Sequence, residues 1–487
     1  MLDNTQKALL ALITKALFDP SAPLPECDDR HALCRESIAH AVTAIAYDAA
    51  KKAANEAGQA IRPEVDESWK NAVNSVVRRN IRVEAEHAEL HRLMSDNSIP
   101  YVILKGCASA AYYPDPFLRT LGDVDFLIRP EDADRADRLL CDKGFTYKPS
   151  SNTDERVYVR GKSVWELHTA ANGTPGGEVG KKVRALMSDA IEKAEPYRHP
   201  VYSEGSSDNS SSEKAPSPVC GEGGLSAQPT EGRGDGSPRR FAPCNDSEGS
   251  PSTEGGGGTP PLRNAPGSVP MQNKPAVSLL RVQEPRFAVP SEFHHGLVLL
   301  LHTARHMTTG GVGLRQICDW AVFVTHAGAR FPEVFETMLR SVGLWKFACI
   351  LTQLSSEYLG APVQNWAGEP DRRLLAELMD DIFAGGNFGT KDKSRRDQAK
   401  FITDRKSGGT SSRSTAGQAV RSANEIVRRH WPAASKLPIL YPAGWLFLGG
   451  RYVLRVAAGK RKKLNVSNLA KDAKTRRKVY EKLKLFG

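Results

Sequence analysis

Apolar residues along the first hundred positions recur at helical spacing. Gln6 to Phe18 and Ser37 to Ala57 are rich in Ala and Leu with little turn signal. Between Glu64 and Ser95, Val73, Val76, Val77, Ile81 and Val83 are set among charged residues. Such spacing gathers the apolar side chains on one face, which predicts long helices packed on one side. Asp96, Asn97 and Pro100 close this region. The pattern then shortens to strand-like runs, Tyr101 to Leu104 and a second beginning after Gly122. Pro130-Glu131-Asp132 opens a helix, with proline and acids in its first turn, and Gly144 stops it after Lys143. Phe145-Thr146-Tyr147 reads as a strand. Arg156 to Arg160 and Ser163 to Thr169 flank Gly161-Lys162 as a hairpin. From Val277 the pattern is helical again, over Phe293 to Met307, Leu314 to Thr325, Lys346 to Leu359 and Arg372 to Phe383. Arg315 and Asp319 are spaced to pair on one helix face. Lys391 to Ala416 is polar and predicts a loose segment.

Composition separates these parts. In Ser203 to Pro270, Gly, Ser and Pro make up 36 of 68 residues, and aliphatic and aromatic residues nearly vanish. A segment that can bury so little surface is expected to be disordered. The resulting division is a helical region at 1–98, an α/β core at 99–200, a Gly/Ser/Pro-rich insert at 201–275, a helical region at 276–450 and a basic tail at 451–487. The net charge of +11 is local: from Arg451 onward there are thirteen Lys/Arg against Asp472 and Glu481. A solvated tail, helical or frayed, is the expectation, with weak contact to nucleic acid or an anionic surface as its partner chemistry. Few aromatics interleave with the charges, which argues against a base-stacking groove. No uncharged apolar run reaches the ~18 residues of a membrane span. The N-terminus lacks the basic-plus-apolar pattern of a signal peptide. Eight cysteines are scattered without paired spacing, as expected of a reducing cytoplasm.

The chemistry concentrates in Leu104-Lys105-Gly106 and Gly122-Asp123-Val124-Asp125. Alternate residues of a strand share a face, so Asp123 and Asp125 emerge together. Two carboxylates held that close favour a cation between them. Gly106, after an apolar strand, lets backbone amides approach an anion such as phosphate. A phosphate turn beside a metal site suits phosphoryl or nucleotidyl transfer. Further along, Glu166 alternates with Trp165 and Leu167 and so faces away from their core side, as does His168, for which a structural hydrogen bond is the expected role. His302 and His306 lie one helical turn apart without a neighbouring acid, which favours helix packing or a polar contact toward the α/β core over a metal site.

Leu104-Lys105-Gly106, Tyr113-Pro114-Asp115-Pro116, Leu118-Arg119, Gly122-Asp123-Val124-Asp125 and Trp165-Glu166-Leu167-His168 together resemble the nucleotidyltransferase superfamily, in particular its bacterial branch with Lys-Gly at the phosphate turn. The run His302, His306, Gly313-Leu314-Arg315 and Asp319 resembles the helical region of that branch. The resemblance implies an α+β fold, with a nucleotidyltransferase-like mixed sheet, flanking helices and helical regions on either side. It implies that Asp123, Asp125 and Glu166 are catalytic and hold Mg²⁺ or Mn²⁺, and that Lys105, Gly106 and Arg119 contact a nucleoside triphosphate. The acceptor would be a hydroxyl of a small molecule, glycan precursor or protein. One departure stands out. Many members have Gly-Ser at the phosphate turn, whereas this chain has Gly106-Cys107, so a hydroxyl donor is missing and Lys105 is the candidate replacement. That departure motivates the alternative of a catalytically silent, nucleotidyltransferase-like binding or scaffold protein.

Overall fold

A computed structural model describes residues 2–25, 27, 29–58, 63–150, 152–197, 287–402, 415–431, 437–458 and 466–487. The insert expected at 201–275 lies outside the described residues. Four helices lead the chain: Asn4–Leu17, Arg30–Ala39, Thr43–Glu56 and Pro63–Asp96. Asp3 caps the first, its carboxylate accepting from the Gln6 amide while the Gln6 side chain accepts from the Asp3 amide.

A five-stranded sheet follows, built from β1 (Tyr101–Ile103), β2 (Val124–Ile128), β3 (Thr146–Lys148), β4 (Glu155–Arg160) and β5 (Ser163–His168). Its order is β1-β2-β5-β4-β3. β2 and β5 run parallel at the centre, and every other pairing is antiparallel. The expected helix after β2 forms as a 3₁₀ turn, Pro130–Asp132, continuing into Ala133–Asp142. The Gly177–Leu186 helix had no counterpart in the sequence reading, and neither did Phe331–Ser341.

Each face of the sheet has its own core. Val124, Phe126, Trp165, Leu167 and Tyr158 are buried with Leu90 and Met94 of the long Pro63–Asp96 helix and with Ala136 and Leu140 of the helix after β2. Trp165 donates its indole N–H to Glu86 of the long helix at 3.2 Å, so even its polar edge is satisfied. Leu127, Val102 and Leu104 join a larger core that runs from Leu9 and Ile13 to Leu301, Leu351 and Phe383. Helices from both ends of the chain share that core, because Asn4–Leu17 packs against Trp345–Leu359 as well as against its own neighbours.

The C-terminal helices sit close to their expected bounds: Glu292–Thr308, Leu314–Ala327, Trp345–Leu359 and Arg372–Gly385. Gly173, just after β5, lets the first of them approach. Its φ is +100°, and a Cβ there would lie 2.2 Å from the Leu301 carbonyl oxygen. Two expectations change. Arg395–Ile402, within the segment expected to be loose, is helical, while 403–414 lies outside the described residues. The end of the chain is helical over Val466–Glu481, as expected, but it is not solvated: Ala473 and Tyr480 are buried, as are Leu483, Leu485 and Phe486 just after it. Even Arg476 is buried, donating to Gln398 at 2.9 Å and to the Tyr480 hydroxyl at 3.0 Å. The apolar spacing of Ala473, Arg476 and Tyr480 explains this: the stem of a basic residue on the inner face packs once its head finds acceptors.

Candidate active site

The central strands bring the acids together. β2 and β5 are in parallel register with Asp125 opposite Glu166, so both carboxylates leave the same face of the sheet. His168, two residues on, shares that face. Its Nε2 lies 3.1 Å from Asp125 Oδ1 and 3.7 Å from Glu166 Oε2. Among the described residues, Asp125, Glu166 and His168 form a group whose donor atoms lie within 4.8 Å of one another. Asp123 lines the same cleft but stands outside that tight group. It precedes the first paired residue of β2 and remains exposed at the mouth. His168 thus takes the close position that sequence spacing suggested for Asp123, through the hydrogen bond expected of it.

Lys105 enters from the end of β1. Its Nζ is 2.9 Å from Asp125 Oδ1 and 3.2 Å from His302 Nδ1 on the Glu292–Thr308 helix. Since an ammonium only donates, His302 accepts at Nδ1 and is neutral. Burial, then the charge of Lys105, holds His302 well below the usual histidine range. The carboxylates are pushed apart. Burial alone would raise Asp125, but Lys105 and His168 more than reverse this and leave it strongly acidic. Glu166 is pushed up to about 9 by burial and by Asp125. Asp123 is raised by the desolvating cleft walls and then by Asp125.

Gly106 follows with φ +68°, a left-handed conformation that glycine adopts without strain, and a Cβ there would lie 3.2 Å from the His87 ring. The helix it opens, Cys107–Ala110, is a single turn. The Cys107 thiol turns inward to His87 Nδ1 at 3.1 Å and is buried. It therefore offers no substitute for a hydroxyl at the turn.

The loop that delivers the aspartates is clamped from three sides. Asn80, buried in the long helix, donates to the carbonyls of Phe117 at 3.2 Å and Arg119 at 2.9 Å, and accepts from the Leu121 amide at 2.9 Å. Arg315 donates to the Thr120 carbonyl at 3.0 Å. Arg119 is buried and grips Asp319 with two hydrogen bonds of 2.7 Å each. Asp319 also accepts from the Tyr113 hydroxyl at 2.7 Å. Arg119 therefore lines the cleft as an anchor between the sheet and the helical half. Asp319 pairs with Arg119 rather than with Arg315, its neighbour one turn away on the same helix. Arg315 is itself held down to about 10 by burial and by Arg119.

The result is a cleft of about 720 Å³ with an acidic floor from the sheet and a basic wall from the helical half, where His302, Arg305, His306 and Arg315 meet Phe388. The sequence reading placed Lys105, Gly106, Arg119, Asp123, Asp125 and Glu166 at one site, and all six line this cleft. It did not find Asn80, whose role lies in backbone contacts that no motif encodes. The Lys105–His302 contact is the polar contact toward the α/β core expected of that helix face, with Lys105 as the partner that spacing alone did not name.

Residues 26–202 match a family described as uncharacterised nucleotidyltransferase. No curated protein and no solved structure matches the chain. The matched stretch begins well before the sheet, so the Arg30–Ala39, Thr43–Glu56 and Pro63–Asp96 helices belong to the same unit as the site they support. This stretch, with its mixed sheet, flanking helices and paired acids on the central strands, is what the chain shares with that nucleotidyltransferase family.

Proposed function

We propose that the cleft transfers a nucleoside monophosphate from a nucleoside triphosphate to a hydroxyl acceptor, with a divalent cation as cofactor. One observation carries this reading: Asp125 and Glu166 face each other across parallel strands, and Glu166 is raised to about 9 by burial and by its neighbour. A carboxylate pair of this kind, one buried and one half-buried, is relieved by a bound cation. The oxygen donors suit Mg²⁺ or Mn²⁺, and Asp123 at the mouth can add another. His168 serves as the orienting partner of Asp125. When bound, the ion would stabilise charge on the entering and leaving oxygens of a displacement at the α-phosphorus.

The protein's own groups have separable tasks. Asp125 and Glu166, joined by Asp123, hold the ion. Glu166, beside Asp125 on the neighbouring strand and lining the cleft, is assigned to accept the acceptor hydroxyl's proton once the ion has displaced its own. The Gly106 turn leaves room for a phosphate to approach backbone. Lys105 and Arg315 supply positive charge toward the triphosphate, and the Arg119–Asp319 pair holds the loop carrying Asp123. Purified protein with Mg²⁺ and each labelled nucleoside triphosphate, plus cell extract as acceptor source, tests the proposal. Pyrophosphate release that disappears in Asp125→Asn is expected. No release with any nucleotide, or release unaffected by that substitution, contradicts it.

A second reading has its own observation. The Lys105 ammonium lies on the carboxylate assigned to the metal, already neutralising it. In a catalytically silent binding module the lysine would keep that place. Calorimetry separates the two, since nucleotide binding without metal dependence or turnover favours the silent module.

A further inference from the structure

The helical hairpin near the C-terminus presents an unusual surface. Its second helix, Tyr441–Ala457, touches the preceding Thr415–His430 helix through Gly444, where a Cβ would lie 2.5 Å from Val427 Cγ1. Trp445 donates to Asn424 at 3.0 Å, and Phe447 lies 5.4 Å from Trp431, ring to ring. Beyond that seam the helix is open: Leu446 is 79% exposed, Phe447 51%, Val453 62% and Leu454 71%. Ile439, just ahead of it, is 83% exposed. A helix that is apolar on nearly every side is normally covered.

The charge around it says by what. From Ile426 to Lys471 the sequence contains ten Lys/Arg and not one acid. Arg451 lies exposed within the helix, and Lys460-Arg461-Lys462-Lys463 follow in sequence. Exposed apolar side chains with Trp and Phe, in a sequence stretch whose only charges are Lys and Arg, are the composition of a helix that lies in the headgroup region of an anionic bilayer. A second protein chain would require acidic residues to meet this border. A second copy of this hairpin would set like charges against each other. The helix is also too short to span a bilayer, because seventeen residues reach about 25 Å and Gly449-Gly450-Arg451 interrupt its apolar run.

We infer that the Tyr441–Ala457 helix, with Arg451 exposed on it and Arg428 exposed on the helix it packs against, docks the protein on an anionic membrane surface. The inference is independent of the chemistry in the cleft. Asp319 and Asn80 anchor the sheet to the helical core, whereas this hairpin makes none of those contacts. The basic character that the whole sequence from Arg451 suggests thereby divides in two. Arg476 is consumed inside the fold, while Arg428 and Arg451 stay exposed to meet phosphate headgroups.

The test uses the full-length protein in vesicle flotation. One set of vesicles is pure phosphatidylcholine and a second contains about a third phosphatidylglycerol. The protein should float with the anionic vesicles and not with the neutral ones, and release should be substantial in 1 M salt. Leu446→Glu with Leu454→Glu should lower the bound fraction at least tenfold, with an unchanged circular dichroism spectrum because both side chains are exposed. Arg428→Gln with Arg451→Gln gives an independent arm and should weaken binding to anionic vesicles while the apolar face is kept. Equal binding to neutral vesicles, no binding to either, or a dimer that the double glutamate variant dissociates while vesicles are ignored would each overturn the inference.

Discussion

Asp319→Ala is the substitution whose consequence follows most directly from the geometry. The carboxylate is 5% exposed and accepts three hydrogen bonds of 2.7 Å, two from Arg119 and one from Tyr113. Burial alone would raise its pKa, yet Arg119 holds it below the usual carboxylate range, so the pair is ionised at neutral pH. Removing the anion leaves the Arg119 guanidinium buried and uncompensated, with Arg315 as a like charge beside it. Breaking a buried pair in this way costs about 3–5 kcal/mol. With a urea slope of about 2–3 kcal/mol per molar, the midpoint should fall by more than about 1 M. Removing both charges together, as Arg119→Met with Asp319→Leu, deletes the need for compensation and should be more stable than Asp319→Ala alone. Urea unfolding followed by circular dichroism and tryptophan fluorescence measures all three proteins. A loss below about 1 kcal/mol in Asp319→Ala, or a double variant no better than the single one, would refute the argument that this pair anchors the sheet to the helical half.

Three further outcomes are expected. Asn80→Ala strips partners from the Leu121 amide and two buried carbonyls, so it should cost about 2–3 kcal/mol and lower nucleotide turnover more than Gly161→Ala, a control in an open hairpin turn; equal turnover in the two variants would dismiss a positioning role. Gly173→Ala meets both a left-handed φ and the Leu301 carbonyl, and should destabilise by more than about 2 kcal/mol in the same urea assay; a neutral result would mean that the helix readily moves away. His87 is neutral in the fold because burial pushes it down to about 4, while the unfolded chain protonates it near 6.5. The unfolded state then binds the extra proton as pH falls, so stability present above 6.5 declines by about 3 kcal/mol toward pH 4 on account of this residue. His87→Gln should flatten that decline in unfolding free energies measured at pH 7, 5 and 4, and an identical slope in both proteins would reject the assignment.

The site was legible where chemistry sits in short-range alternation. Asp125, Glu166 and the apolar residues between them follow the two-residue period of a strand, and the glycine turn at Gly106 follows from its place after an apolar run. The strand and hairpin bounds, and four of the C-terminal helices, were legible for the same reason. What sequence could not supply was partner choice over long separations. Arg119 reaches Asp319 across two hundred positions, and the i, i+4 spacing of Arg315 and Asp319 pointed to a nearer but incorrect pair. His168 entered the tight group in place of Asp123 because strand pairing ends at Val124, which periodicity does not reveal. The last helix misled because its charge outweighed the sparse apolar face made by Ala473 and Tyr480.

The central claim is that Asp125 and Glu166 share a divalent cation beside the Gly106 turn. A crystal structure grown with Mn²⁺ and a non-hydrolysable nucleoside triphosphate, with anomalous data at the manganese edge, tests it directly. The account predicts an anomalous peak between the two carboxylates, with the triphosphate lying from the Gly106 turn toward Arg315 and the Lys105 ammonium displaced from Asp125 onto phosphate. Nucleotide in the cleft with Lys105 still paired to Asp125 and no manganese between the acids would contradict it.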